Sequence, residues 1–359
     1  MITVPGSMPK IIFDGFCKEN LFLNEQMLRL NKNIKIFFNY LFGSVLFIWL
    51  SYSIYHQVKN QPHLELSWNR IKSSLNGEQS WMFWVVLLLM VVNWGVEARK
   101  WQVLLKKMEP MSWWRAFKAT LTGVAFAINT PNRIGEYGGR ILYVHEGNRM
   151  KAVSLTLVGS MSQFLVTMLS GCGGLIFLLS IRTAEKPLIN AGSYTFWIQV
   201  MLYIVSALSV IGLLIYFKLG WLVKLFDKVP PFSRLVSYVQ VVEELSFSIL
   251  LRVFSLSLTR YIIFISQYIL MIRLMQVDVT VWQAFWLISV IFLVLAIVPT
   301  IALAEIGIRG KVSMEIFGLF SINNIGILAA SVGIWAINLA LPALLGSLLI
   351  LRIKIFKNK

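Results

Sequence analysis

Long apolar runs, separated by short polar segments that are mostly basic, dominate this chain. Six runs are of the roughly 20-residue length that a helix needs to cross hydrocarbon: about 34–55, 80–98, 152–180, 194–217, 253–275 and 325–351. They are continuously apolar rather than alternating, so they predict helices and not barrel strands. Two further apolar stretches, 116–128 and 282–298, are shorter, and each leads directly into a segment holding proline, glutamate and arginine. The pattern predicts an all-α polytopic membrane protein with its membrane domain over 34–351. Residues 1–33 read as an N-terminal cytoplasmic extension, disordered in part, and 352–359 as a basic cytoplasmic tail.

The distribution of basic residues decides how the two short stretches sit. If both crossed the membrane, the basic segments 99–118 and 218–252 would face opposite sides, against the positive-inside bias. If both dip in and return on the same side, 21 Lys and Arg fall inside and 6 outside. The expected arrangement is therefore six full spans plus two re-entrant broken helices. It divides the chain into halves of about 34–180 and 194–351 that enter from opposite sides, an inverted repeat of the kind common in transporters.

Each half then carries a matching charged segment. The first is NTPNRIGEYGGR, residues 129–140, with Asn129, Pro131, Arg133, Gly135, Glu136 and Arg140. The second is PTIALAEIGIRG, residues 299–310, with Pro299, Glu305, Gly307 and Arg309. Both contain Glu-x-x-x-Arg, and residues four apart share one helix face, with glutamate in the favourable N-terminal place. Proline resists continuing the preceding helix and suits the start of the next. Each copy therefore reads as an apolar arm, a break at Pro131 or Pro299 with hinge glycines Gly135 and Gly307, and a return arm bearing an ion pair. The competing reading is a pair of surface salt bridges just outside the membrane. Repetition in matching positions favours the buried one, because charges at bilayer depth cost about 2.5–3.5 kcal/mol each on insertion scales and are kept for function.

Composition narrows the chemistry. The chain is 57% hydrophobic and 14% charged, with a formal net charge of +17. In a soluble protein that charge would point to nucleic acid; here the basic residues sit between apolar runs and meet anionic lipid heads, so no nucleic-acid partner is expected. Cys17 and Cys172, with His56, His63 and His145, show no metal-ligand spacing, and no cofactor is expected. GIRGKVS (307–313) lacks the spacing of a phosphate loop. Arg260, inside the fifth span, either lines the same cavity as the motifs or snorkels to the inner surface. Glu97, Arg99 and Trp101 end the second span at the inner interface, where tryptophan and arginine read as ordinary anchors and a gate contact is the alternative. Ser266 and Gln267 read as helix–helix hydrogen-bonding residues, SGCGG (170–174) as a close helix approach, and Pro342 as a kink. WLVKLFDK (221–228) suits a short interfacial helix.

Three segments together carry a resemblance: EARKWQVLL (97–105), N-x-P-x-R-x-G-E-x-x-x-R (129–140), and Pro…Glu-x-Gly-x-Arg (299–309). Over roughly 34–351 the chain resembles the transmembrane, flippase-like domain of the lysylphosphatidylglycerol synthase family. Members often carry a Glu-Arg pair early in the third span; VGSMSQF (158–164) has Ser160, Ser162 and Gln163 there. The sequence shows no counterpart of the soluble domain that attaches lysine in fused members. The resemblance thus implies lipid translocation, or another membrane role, rather than aminoacyl transfer.

The expected function is an inner-membrane transporter or flippase for an anionic lipid or lipid-linked substrate, with both termini cytoplasmic and membrane lipids as partners. Arg140 and Arg309 would hold a phosphate or carboxylate head, Glu136 and Glu305 would neutralise them when the site is empty, and Asn129, Arg133 and Arg260 would complete the site. Two alternatives stand beside it: an intramembrane enzyme using Glu136 or Glu305 as general base, and a non-catalytic scaffold. The oligomeric state is left open.

Overall fold

The computed structural model describes residues 77–128, 130, 133–184, 191–220, 241–298 and 302–350, with a few isolated positions between 52 and 73. Every regular element among the described residues is helical. In chain order they are α1 (Trp81–Leu105), α2 (Trp113–Ala127), α3 (Gly135–Ile141), α4 (Arg149–Ala184), α5 (Ala191–Phe217), α6 (Phe247–Leu274), α7 (Val281–Ile297), α8 (Ala302–Phe317), α9 (Asn324–Trp335) and α10 (Leu341–Ile350). A π-helical segment, Ala336–Ala340, joins the last two. The first predicted span (34–55, apart from the isolated Tyr52), the interfacial segment 221–228, the tail 352–359, and Asn129, Pro131 and Pro299 lie outside the described residues.

Five stretches are long and apolar enough to cross a membrane: Trp81–Leu105, Glu146–Ile181, Thr195–Phe217, Phe247–Leu274 and Asn324–Ile350. They coincide with five of the six predicted runs. The two short stretches form α2 and α7, of 15 and 17 residues. Each stops and is followed by a helix that packs back on it, α3 on α2 and α8 on α7.

The starts of α2 and α7 are alike. Ser112 accepts a hydrogen bond from Arg115 N at 3.3 Å, and Thr280 accepts one from Gln283 N at 3.2 Å while Gln283 Oε1 accepts from Thr280 N at 2.9 Å. These are N-caps, which satisfy donors that a helix start leaves unpaired. Behind each cap comes Trp-x-Ala-Phe: Trp114, Ala116 and Phe117, then Trp282, Ala284 and Phe285. Pro131 and Pro299 each stand 19 residues after their cap. Trp114 and Trp282 are 65% and 63% exposed, placing an outward-facing indole at the mouth of each arm, where tryptophan anchors a helix at a bilayer interface.

Packing crosses between the halves reciprocally. α1 lies along α6, α4 packs on α7, and α10 packs on α2. Glycines let the last two pairs approach closely. A Cβ on Gly174 of α4 would lie 2.7 Å from Val290 of α7, and one on Gly346 of α10 would lie 2.0 Å from the Leu121 carbonyl of α2. The predicted close approach of SGCGG is thus made, against α7. Gln267 also acts between helices, donating to Val86 O at 2.9 Å and so tying α6 to α1. The last span is largely enclosed by protein, whereas α5 lies at the periphery. Pro342 cannot donate to the carbonyl of Asn338, and the helix widens into its π segment immediately before it.

Candidate functional site

The break between α2 and α3 is held locally. Thr130 Oγ1 accepts from Gly135 N at 2.8 Å and donates to the carbonyl of Ala127, closing the turn. Gly135 sits so close to the end of α2 that a Cβ would lie 2.2 Å from Phe126 O. Gly139 abuts Gly123, where a Cβ would lie 2.6 Å from the facing Cα. Glu136 falls in the first turn of α3 and Arg140 in the last, each opposite in sign to the partial charge of the helix end nearest to it. Arg133, within the break, has φ 58°, a left-handed conformation costly for a residue other than glycine.

These elements bring charges together deep in the bundle. Glu97 of α1 accepts from three cations at 2.7 Å each: Lys100 Nζ, Arg140 Nη2 and Arg260 Nη1. Arg140 also bonds Glu136. In the second copy Glu305 accepts from Arg309 Nη2 at 2.6 Å. Arg133 Nη2 reaches across from the first break to the same carboxylate, at 3.2 and 3.3 Å from its two oxygens. The two motif copies therefore meet. Five cations face three carboxylates, an excess of two positive charges. Arg260 lies 4.8 Å over the Trp94 ring and donates through Nε to Asn93 Oδ1 at 3.0 Å.

A cavity of about 590 Å³ opens onto this cluster, walled by α1, α4, α6, both broken arms and the last span. Its size suits a small-molecule head group. Seven buried polar atoms on its wall have no hydrogen-bond partner among the described residues: Arg309 Nε and Nη1, Asn93 Nδ2, Trp94 Nε1, Trp335 Nε1, Asn338 Oδ1 and Gln163 Oε1. Most of these are donors. Buried polar groups are ordinarily paired, so a wall with mostly spare donors and surplus positive charge is chemically complementary to an acceptor-rich, anionic group.

The structure places the sequence-predicted residues unevenly. Arg133, Glu136, Arg260, Glu305 and Arg309 line the cavity. Arg140, 2% exposed, stands behind Glu97 and Glu136. Arg260 turns inward instead of snorkelling. Gly307 lies inside α8, where a Cβ would meet nothing within 4 Å.

The anchors proposed at the end of the second span need correction. The helix continues to Leu105; Glu97, Lys100 and Trp101 are buried and only Arg99 is exposed. Burial is feasible because three cations compensate Glu97. Lys100, read from sequence as part of a basic loop, belongs to the site. The available signal was the spacing Asn93, Glu97, Lys100, which sets three polar side chains on one face of an apolar helix. Trp94 and Trp335, also unforeseen, carry no sequence mark that separates them from ordinary tryptophans. Ser160 and Gln163, which replace the Glu-Arg pair of the resembled family, line the cavity as neutral groups.

The profile of the family described as "Lysylphosphatidylglycerol synthase TM region" matches residues 37–346. No curated protein and no solved structure matches the chain. The match covers the helical spans, both broken arms and the charged cluster between them: this multi-pass membrane protein belongs to the lysylphosphatidylglycerol synthase transmembrane-region family.

Proposed function

We propose that the protein moves an anionic lipid or lipid-linked substrate across the cell membrane, with both termini on the cytoplasmic side. The observation that carries this reading is the Arg133–Glu305 contact inside a cavity with surplus positive charge. It joins the two broken arms at one site, as a transporter with a central substrate site requires. The matched N-caps, the Trp-x-Ala-Phe repeats and the reciprocal packing of α4 on α7 and α10 on α2 support an inverted repeat. On that basis α2–α3 and α7–α8 are re-entrant pairs entering from opposite leaflets.

The chemistry is an exchange of partners. Arg309 holds Glu305 through one nitrogen and has two others unpartnered among the described residues. A phosphate oxygen can take those donors, and guanidinium suits phosphate because its planar donors pair with it in two-pronged fashion. Glu305 then retains Arg133, so substrate arrives without leaving a buried carboxylate unpaired. A general-base role is less well served, because Glu136 and Glu305 are each held by guanidinium groups.

The test is reconstitution into vesicles with a labelled anionic phospholipid, comparing wild type with Arg140→Ala and Arg309→Ala. The transbilayer rate is expected to fall in the arginine variants, most in Arg309→Ala. Rates equal to wild type in both would remove this mechanism. A new lipid species, appearing on expression and lost in Glu136→Gln, would favour an enzyme instead.

A further inference from the structure

The charges around the cavity fall into two groups that share no carboxylate. In the first, Glu97 and Glu136 pair with Lys100, Arg140 and Arg260. In the second, Glu305 pairs with Arg309 and Arg133. Each group therefore has one cation more than it has carboxylates. The other ionisable side chains on the described wall are the phenols of Tyr137 and Tyr261; α4, α7 and the last span present neutral groups there. The residues of the two breaks outside the described set, 129, 131–132 and 299–301, are asparagine, proline, threonine and isoleucine, and none is charged.

Both surpluses are buried. Lys100 is 2% exposed and lines the cavity; it shares Glu97 with two arginines and donates to the Gly159 carbonyl at 3.3 Å. In the second group Arg309 is 6% exposed and has Nε and Nη1 unpartnered among the described residues. Buried charge is costly unless it is compensated. A monoanion in the cavity compensates one group and leaves the other in surplus; a dianion compensates both. The unpartnered donors come from three helices: Asn93 and Trp94 on α1, Arg309 on α8 and Trp335 on α9. A phosphate diester offers two unsubstituted oxygens to such a wall. A phosphate monoester offers three, and gains its second charge above about pH 6.

We propose that the cavity takes a phosphate monoester as its dianion, between Arg309 on one side and Lys100 and Arg260 on the other. The inference rests on the anion-site reading above and narrows it to a substrate class. That class is a lipid whose head is a terminal phosphate, rather than one whose phosphate is esterified to a further head group. A lipid phosphate and a soluble phosphate monoester share this chemistry, and the test separates them.

The test is titration calorimetry of the full chain in detergent with two lipids of identical tails. Dioctanoyl phosphatidic acid is a monoester, and dioctanoyl phosphatidylmethanol is a diester. At about pH 8 the monoester should bind at least about tenfold more tightly, because its second charge meets the second surplus at low dielectric. The ratio of affinities should fall towards one as the pH is lowered to about 5, where the free monoester is chiefly a monoanion. Protein titration that affects both lipids alike cancels in the ratio. Lys100→Met reduces the surplus to one charge and should collapse the ratio at the higher pH, whereas Lys100→Arg keeps the charge and should keep the ratio. A purely structural loss would weaken both lipids together and leave the ratio unchanged. If a variant fails to fold, the pH profile of the wild type decides alone.

Equal affinities at the higher pH, a ratio indifferent to pH, or two diester molecules bound per chain would overturn the dianion. If binding in those cases is still lost in Arg309→Ala, the anion site stands without it. Binding of both lipids that is indifferent to Arg309→Ala would overturn the anion site as well. Glycerol 3-phosphate, a monoester without tails, should bind more weakly than phosphatidic acid; equal affinity would overturn the lipid as the source of the phosphate.

Discussion

The two Glu-x-x-x-Arg copies are near-duplicates in sequence and differ in their surroundings. In the first, Arg140 is shared between two carboxylates, Glu136 on its own helix and Glu97 from α1, and is sealed at 2% exposure. In the second, Arg309 has one carboxylate, lines the cavity and has two nitrogens unpartnered among the described residues. The difference comes from α1, which sends Glu97 to the first copy; among the described residues no carboxylate from another helix joins the second. The first copy is a clamp that ties α1, α3 and α6 through Glu97. On the proposed function, the second is the face on which a ligand acts. Duplication of a motif thus does not imply duplication of its role; the number of carboxylates around each guanidinium decides it.

The comparison can be broken most severely at Glu97. Glu97→Gln leaves Lys100, Arg140 and Arg260 with Glu136 as the one remaining carboxylate of that cluster. Removing one partner of a buried ion network costs about 3–5 kcal/mol, so the variant should show a large fall in melting temperature or fail to accumulate. A melting temperature equal to wild type would mean that Glu97 is not the centre of the clamp.

The glycines separate the copies next. Gly135→Ala places a methyl 2.2 Å from Phe126 O and should cost about 1–3 kcal/mol, the usual range for overpacking. Gly307→Ala meets open space in a helix and should be neutral or stabilising by up to about 1 kcal/mol. Thermal unfolding of the pair in detergent checks both, and equal losses would contradict the packing difference.

The smallest effect belongs to the contact between the copies. The Arg133 side chain is 44% exposed, so its pairing with Glu305 should contribute about 1 kcal/mol or less in a double-mutant cycle. Its left-handed backbone sharpens the measurement. Arg133→Gly relieves the φ cost while losing the charge, so it should melt above Arg133→Ala. The reverse order would show that the break does not hold that conformation.

Much of the architecture was legible because length and continuity of apolar runs are the physical requirement for spanning, and five predicted runs became helices, some of them extending past their apolar ends. The short runs 116–128 and 282–298 form helices of 15 and 17 residues, shorter than the five long ones, since each meets a charged break before reaching full length. The motif segments were found because proline, glycine and i,i+4 charges are conspicuous inside apolar sequence. Glu97 and Lys100 were misread for the opposite reason. They adjoin the end of an apolar run, where charged residues ordinarily anchor a helix at the interface, and only their partners on α3 and α6 show that they are buried. The caps Ser112 and Thr280, with their shared Trp-x-Ala-Phe, were present in the sequence as a repeat signal weaker than the charges and became evident once both were seen to start broken arms. The asymmetry between Arg140 and Arg309 lay beyond sequence altogether, because it depends on which helix passes behind each.

The most direct test of that asymmetry is to measure anionic-lipid affinity and melting temperature together for Arg140→Ala and Arg309→Ala. Hydrogen bonds to a charged group are worth about 1.5–3 kcal/mol, so Arg309→Ala should weaken binding by roughly 10- to 100-fold, with a smaller fall in melting temperature than Arg140→Ala because Glu305 keeps Arg133. Arg140→Ala should act chiefly on melting temperature. Losses of the same kind and size in both variants, or binding lost with Arg140 and kept without Arg309, would contradict the division of the two copies into clamp and binding face.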